Sequence, residues 1–511
     1  MKTSRTLIVM LSLALSACGG SKEETCGPCN TPPDDYCSDA NTLLVHPATG
    51  ECRDGVCQYP PTEQNCPNGC FHGECLTDPC ASVTCDQPPG PCYQSTGTCV
   101  ADPDAHCEYA QLPDGTACDD GTACTLNDTC QSGVCTPGED LCGLEVVVLI
   151  YNAADNDLDE SMALDFQTFQ DSNVDNYDFV RLFVLWDRVG TAAWSDTRFY
   201  EVHNGAATEL DGPNLGLTVA GAEELNMGDP AVLYNFILDV RNLVGTSPDY
   251  YLIMADHGDG WWRRQWPPPE KPPAMGCCYD ETSGDDYLSE QEITQAINGM
   301  GIKVLGYDAC LQGMAEVAYQ HRDDAEIMIA SQETEWEWGW DWVEIFTRFG
   351  QGADHTALNF AHIVVDTYIT LSQANQDQYA TMAVYDLSAM AALATAAEPM
   401  ASAIIPLSTN DYYAICDNLE FYACEGTDCE EYVDLIQLAN LSAGVDPANA
   451  SVYNAVTQAV TQAVIYEDHG TDHPNSHGMN VYFPCYYYPW DEYQDVTWAK
   501  DTGWDDLVMA H

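Results

Sequence analysis

The chain has 511 residues and a formal net charge of −66, with 15 Lys and Arg against 81 Asp and Glu. So few cations exclude nucleic acid as a partner, because phosphates are held by Lys and Arg, and an anionic membrane surface would repel the body of the protein. The length allows several domains, and 26 cysteines point to a compartment where disulfides form.

The first seventeen residues read as a signal peptide. Lys2 and Arg5 precede an apolar run, residues 7–15, that is too short to span a bilayer. Leu15-Ser16-Ala17-Cys18 then resembles a bacterial lipoprotein box. That resemblance implies cleavage before Cys18, lipid on its sulfur and amine, and a mature protein anchored to a bacterial membrane. The outer membrane is the expected one, with the protein facing the periplasm or the exterior. No other stretch is read as a membrane span.

Residues 18–142 form a second region. Between 19 and 142 lie 18 cysteines among Gly, Pro and Asp, with few apolar runs, so disulfides rather than a core must hold it. Asp114-Gly115-Thr116-Ala117-Cys118 is echoed by Asp120-Gly121-Thr122-Ala123-Cys124, which resembles the short cysteine-rich repeats of secreted delta-proteobacterial proteins. The expectation is a lipidated stalk or spacer. Cys26-Gly27-Pro28-Cys29 copies a redox motif but lacks the strand before and the helix after that such chemistry needs. It therefore reads as structural.

From residue 143 to 511 the texture is that of an α/β domain. Continuous β-branched runs at 145–151 and 179–186 read as strands covered on both faces, and 197–202 as an additional strand. Asp229-Pro230 opens a helix to about Val244. A strand at 250–255 follows, then a capping box, Ser289 with Glu292, opening a helix to about Asn298. A strand at 302–306, a helix at 311–320 and a short strand at 326–330 come next. Residues 355–374, 388–400 and 449–466 read as helical and 479–483 as a late strand. Alternation of this kind predicts a mainly parallel sheet flanked by helices, with sites at the carboxyl ends of its strands.

Two residues stand at such ends. His257-Gly258 follows the strand at 250–255, and Asp308-Ala309-Cys310 follows the one at 302–306. An imidazole beside a thiol is a cysteine-peptidase dyad: Cys310 attacks the scissile carbonyl and His257 manages protons. The order, His before Cys, matches the caspase-type arrangement and excludes the papain one. Gly258 offers an oxyanion N–H at close approach, with the Cys310 N–H as its companion. A helix starting just after Cys310 would lower the thiol pKa. Six other cysteines lie beyond residue 142, an even number that permits full pairing and leaves Cys310 free. His469, His473 and His477 are regularly spaced, but Gly470 and Pro474 break any helix, so they read as a surface loop rather than a zinc site. Asp155-x-Asp157-x-Asp159 begins like an EF-hand loop, yet Glu160 and Phe166 stand where Gly and Glu are required.

The blocks Tyr151-Asn152-Ala153-Ala154-Asp155-Asn156-Asp157-Leu158, Asn226-Met227-Gly228-Asp229-Pro230, Ala255-Asp256-His257-Gly258-Asp259-Gly260-Trp261, Asp280-Glu281-Thr282-Ser283 and Tyr307-Asp308-Ala309-Cys310-Leu311-Gln312-Gly313-Met314 resemble the clostripain family of cysteine peptidases, as do Ser331-Gln332-Glu333-Thr334-Glu335 and residues 478–484. The resemblance implies a caspase-like α/β fold and cleavage of proteins or peptides after basic residues, Arg before Lys. It makes Asp308 the acid of the S1 pocket. Glu333 and Glu335 are further candidates in a loop whose tryptophans (Trp336, Trp338, Trp340) depart from the family pattern and could reshape that pocket. It also implies self-cleavage at a basic residue between His and Cys. Arg264 and Lys271 qualify, and Pro272 disfavours the second. No cofactor is required for the chemistry; calcium is a candidate ligand that the sequence does not place. Two rivals remain open, a surface binding or adhesion protein on a retired peptidase scaffold and a peptidase selecting Asn or Asp.

Overall fold

Residues 26–511 are described by a computed structural model, apart from 102–104, 123–124, 141–142, 173, 175–176, 190–193, 204, 262–275, 426–427, 430 and 487–488. The signal segment, Cys18, Arg264 and Lys271 lie outside the described residues. Two compact units result. One takes the described residues up to Asp120 with Thr129–Thr136; the other takes Gly121–Asp128 and Pro137–His511.

In the first unit short hairpins are tied by Cys26–Cys52, Cys29–Cys57, Cys37–Cys70, Cys66–Cys75, Cys80–Cys99, Cys85–Cys107, Cys92–Cys130 and Cys118–Cys135. Cys26 and Cys29 thus bond to separate distant partners, which is structural use of the pair. The unit contains a repeat. Cys52 opposes Cys57 in one hairpin and Cys99 opposes Cys107 in another. The Gly50 N–H donates to Cys29 O as the Gly97 N–H donates to Cys85 O, and Tyr59 and Tyr109 each accept a backbone N–H through the phenol.

The second unit is built on nine strands: β1 (Val146–Ala154), β2 (Val180–Arg188), β3 (Arg198–His203), β4 (Ala206–Glu209), β5 (Asp249–Ala255), β6 (Ile302–Asp308), β7 (Ile327–Ala330), β8 (Thr381–Asp386) and β9 (Val464–His469). Their order is β4-β3-β2-β1-β5-β6-β7-β8-β9. The five central strands are parallel, with an antiparallel pair on either flank. All nine residues of β1 are buried, because alternate side chains feed two cores. Val147, Leu149 and Tyr151 face one core; Val146, Val148 and Ile150 face the other. Helices Pro230–Val244, Glu290–Ile297 and Met390–Ile404 cover the first face, and Asp159–Asp171, Trp342–Gln351 and Ala357–Ala374 the second.

Several expectations change. The helix expected from Leu311 begins at Ala315. The helix expected over 449–466 is Ala450–Ala463 and gives way to the edge strand β9, whose β-branched Val464 and Ile465 suit a strand. Asn480–Tyr482 pairs with Tyr432–Asp434 outside the main sheet. The run Leu387–Ile404 is long and apolar enough to cross a membrane, contrary to the expectation. Its Met390, Leu393, Ala397, Met400 and Ile404 are core residues, which accounts for its composition. Cys416 pairs with Cys485 and Cys424 with Cys429. Cys277 and Cys278 stay as buried thiols with their sulfurs 2.6 Å apart, so the even count did not mean complete pairing.

Candidate active site

The site is positioned by strand register. In adjacent parallel β5 and β6, Ala255 is the partner of Asp308, so His257 and Cys310 each stand two residues beyond a matched pair. The two backbones come very close: a Cβ on Gly258 would lie 2.4 Å from Cys310 O and 3.0 Å from the Ala309 Cβ. Only glycine permits that approach.

Three elements hold His257. Its Nε2 lies 2.7 Å from Asp157 Oδ1, in the segment following β1. The preceding Asp256 is buried and accepts hydrogen bonds from Asn156 Nδ2 and from the Tyr279 N–H, while its own N–H donates to Asp308 O. Burial raises the Asp256 carboxyl to about 7. Gly258 bridges to Cys277, at the start of the Cys277–Asp280 strand.

Cys310 sits in a turn between β6 and the Ala315–Gln320 helix. Leu311 adopts a left-handed φ of 63°, and its N–H donates to Glu333 O. The Glu335 N–H donates to the Cys310 sulfur at 3.2 Å, and Glu335 O lies 3.6 Å from it. With the helix starting five residues later, no dipole acts directly on the thiol. Burial, with the carboxylates of Glu335, Asp259 and Glu333 in range, instead pushes it up to about 12.

Beside the cysteine is a buried group of carboxylates. Asp308 Oδ2 accepts the Trp340 N–H at 3.3 Å, and Glu335 Oε2 accepts the Trp340 indole N–H at 3.1 Å. A Cβ on Gly339 would meet both Asp165 Oδ2, at 2.9 Å, and Asp308 Oδ2, at 3.3 Å. Burial and the proximity of Asp308 raise Asp165 to about 9 and push Glu335 well up; burial raises Asp308 to about 7. Glu335 Oε1 is buried without a hydrogen-bond partner, and none of the three acids has an ion pair among the described residues. Asp165 comes from the Asp159–Asp171 helix, where no motif distinguishes it from other acids.

The tryptophan loop serves this group. Trp340 is buried over Gly306, where a Cβ would be 2.9 Å from its ring. Trp336 and Trp338 stack at 5.1 Å with Trp336 exposed. Glu333 departs from the expectation of a pocket acid. Its carboxylate accepts the N–H groups of Thr334 and Ala423 and pairs with His473 at 2.9 Å. That residue anchors the loop. His473 corrects the surface-loop reading: it is 3 % exposed, lies between Glu333 and Glu420, and is held as a cation by both, raised to about 9 against the cost of burial. His469 and His477 pair separately, with Glu467 and Asp434.

A mainly parallel sheet with a histidine and a cysteine at the carboxyl ends of adjacent central strands defines a caspase-like α/β protein. A model of the clostripain family matches residues 150–509, and the chain belongs to that family. Clostripain from Hathewaya histolytica is 33% identical over 230 residues, 41% of this chain and 43% of that protein, so the match spans less than half of that curated relative. Two solved structures share the fold. A secreted C11 cysteine protease from Bacteroides thetaiotaomicron, in complex with an irreversible peptide inhibitor, has a TM-score of 0.55 at 17% identity, covering 71% of this chain and 99% of its own. An inactive zymogen C11 protease from Parabacteroides distasonis has a TM-score of 0.52 at 18% identity, covering 70% and 98%.

Proposed function

We propose that the protein is an extracytoplasmic cysteine endopeptidase that cleaves after basic residues, Arg before Lys, with His257 and Cys310 as its dyad. The carrying observation is the matched register of β5 and β6 together with the contact of Gly258 on Cys310. The Cys310 sulfur attacks the scissile carbonyl as His257 takes the thiol proton. The N–H groups of Gly258 and Cys310 stabilise the oxyanion. The imidazolium then protonates the leaving amine, and water, deprotonated by His257, hydrolyses the thioester and restores the thiol. Withdrawing the proton only as substrate arrives fits a thiol that burial keeps protonated.

Asp308, Glu335 and Asp165 would form the floor of S1. Three buried acids whose ionised forms burial disfavours gain a partner charge from a guanidinium, whose planar fork suits several oxygens at once. Glu333 would act through the loop rather than on the substrate. The disulfides support a location outside the cytoplasm. The finer reading adds lipid at Cys18, residues 18–142 as stalk, and maturation by a cut near Arg264, with Lys271 disfavoured by the proline after it.

The test is hydrolysis of fluorogenic peptides differing only at P1 (Arg, Lys, Asn, Asp, Leu) beside Cys310→Ala. Cleavage after Arg or Lys that vanishes in the variant supports the proposal. Cleavage after Asn or Asp would keep the dyad and discard the pocket. No Cys310-dependent turnover would favour a binding protein. An intact chain in active preparations would sink the cut at Arg264.

A further inference from the structure

Cys277 and Cys278 are neighbours in the chain, and besides Cys310 they are the only free thiols among the described residues. Successive side chains of a strand point to opposite faces. Here both enter the same core, and their sulfurs lie 2.6 Å apart. Cys278 achieves this with a left-handed φ of 70°, where the pairing of Cys277–Asp280 with Asp286–Leu288 loses its regular register. That φ is costly for a residue with a Cβ. The sulfurs are closer than unbonded heavy atoms sit, about 3.5–4.0 Å even for carbon, and near the length of a disulfide, about 2.05 Å. A strained backbone thus holds the two sulfurs within bonding reach.

We propose that Cys277 and Cys278 are an oxidation site, closed in the mature protein by a disulfide between the two neighbours. The oxidant is a disulfide reagent, of the kind that makes the chain's other bonds by exchange. One sulfur attacks the reagent's S–S bond, releasing one thiol and leaving a mixed disulfide. The neighbouring sulfur then attacks that bond and releases the second thiol. One S–S bond forms and one breaks, and the two released thiols carry away both protons and both electrons. Burial pushes both cysteines up in the folded chain, so the exchange belongs to folding, before the core closes.

The bond ties the segment that frames the dyad, a consequence that rests on the peptidase reading. Cys277 bridges to Gly258, and the Tyr279 N–H donates to Asp256. Gly276 O accepts Gln312 Nε2 at 3.0 Å and the Asp259 N–H at 3.4 Å. Residues 276–279 therefore hold both neighbours of His257 and the turn after Cys310. Neighbouring Cα atoms are about 3.8 Å apart, short of the usual span across a disulfide, about 4.4–6.8 Å. Such a bond is more readily reduced than one between distant segments. It closes almost no loop and so adds little to global stability. Its effect is local: closed, it fixes residues 277–278 against Gly258; reduced, it releases them.

Mass spectrometry of the full mature chain carrying Cys310→Ala, secreted into an oxidising compartment, tests the bond independently of activity. The chain is unfolded with N-ethylmaleimide and no reductant, then digested. The peptide holding residues 277–278 is expected without label and lighter by two hydrogens than the dithiol. Reduction beforehand should leave both sulfurs open to label once the chain unfolds, giving two labels. Two labels without reductant, or a bond from either residue to any other cysteine, overturns the proposal. In the Cys310 enzyme, rising reductant should first free Cys310. As the pair opens it should then lower kcat for an Arg substrate by on the order of 10- to 100-fold, through displacement of Gly258 and His257. Cys277→Ala with Cys278→Ala should start at the lowered kcat and show no second phase. A second phase that survives in this double variant overturns the link to the dyad. The bond found by mass, without peptide hydrolysis by the Cys310 form, would leave the site standing and remove the peptidase.

Discussion

The Glu335 N–H donates to the Cys310 sulfur at 3.2 Å, so the residue whose carboxyl group accepts the Trp340 indole N–H also holds the thiol through its backbone. In the proposed mechanism, nucleophile and selectivity loop are therefore one mechanical unit. With the thiol raised to about 12, the free enzyme should alkylate slowly at neutral pH. Iodoacetamide labelling of Cys310, followed by mass spectrometry, is expected to accelerate steadily from pH 7 to pH 9 with no plateau. Cys277 and Cys278, 3 % and 0 % exposed, should remain unlabelled until the protein unfolds. A plateau below pH 7 would mean that the resting enzyme holds a thiolate.

The acid trio gives the second expectation. Asp165→Asn and Asp308→Asn should each lower kcat/KM for an Arg substrate by about 100-fold, the loss of one charge-assisted contact. A Leu substrate should change little. The sign of the stability effect separates this from damage to the fold. Removing one of several buried acids, each of which burial penalises when ionised, should leave Tm in the absence of substrate unchanged or higher. Loss of activity toward Arg and Leu alike, with a lower Tm, would make these residues structural.

The central strands were legible because their sides are both buried, which forces continuous β-branched runs such as Val146 to Tyr151. Asp229 and the Ser289–Glu292 box were legible because capping is local chemistry; both side chains accept the expected N–H groups. What stayed hidden depends on distant partners. Strand β8 pairs antiparallel between β7 and β9, which no alternation of strand and helix announces. Asp165 becomes special only when the fold brings it beside Asp308 at Gly339, and His473 only when Glu333 and Glu420 close around it. The left-handed Leu311, which delays the helix and removes its dipole from the thiol, has a side chain that disfavours that φ and so gave no signal.

Gly258 carries a third expectation. Gly258→Ala places a Cβ 2.4 Å from Cys310 O, so one of the two backbones must shift. Misplacement of about 1 Å costs on the order of 100-fold in rate. The variant should lose at least that in kcat against every P1 residue, because the displacement affects the reacting atoms and not the pocket. A selective loss for Arg would contradict this assignment.

The last expectation concerns stability against pH. His321 is fully buried, with Nε2 2.7 Å from Glu290 and Nδ1 3.0 Å from Asp324; Tyr307 and Thr294 complete its surroundings. The two carboxylates outweigh the burial cost and raise it to about 9. A histidine that binds its proton more tightly when folded contributes fully below its unfolded value of about 6.5, and the contribution fades as pH rises through 9. The difference corresponds to on the order of 3 kcal/mol. Tm should therefore fall between pH 6.5 and 9, and His321→Gln should be destabilised at pH 6 while showing a flatter slope over that window. The raised carboxyls of Asp165 and Asp308 act in the same direction, since the folded state keeps protons that the unfolded chain has released. Part of the slope should thus survive in His321→Gln and diminish further when Asp165→Asn is added. Thermal denaturation of the parent, the single variants and the double variant across this range separates the two contributions. A slope unaffected by His321→Gln would mean that the imidazole is neutral in the folded protein.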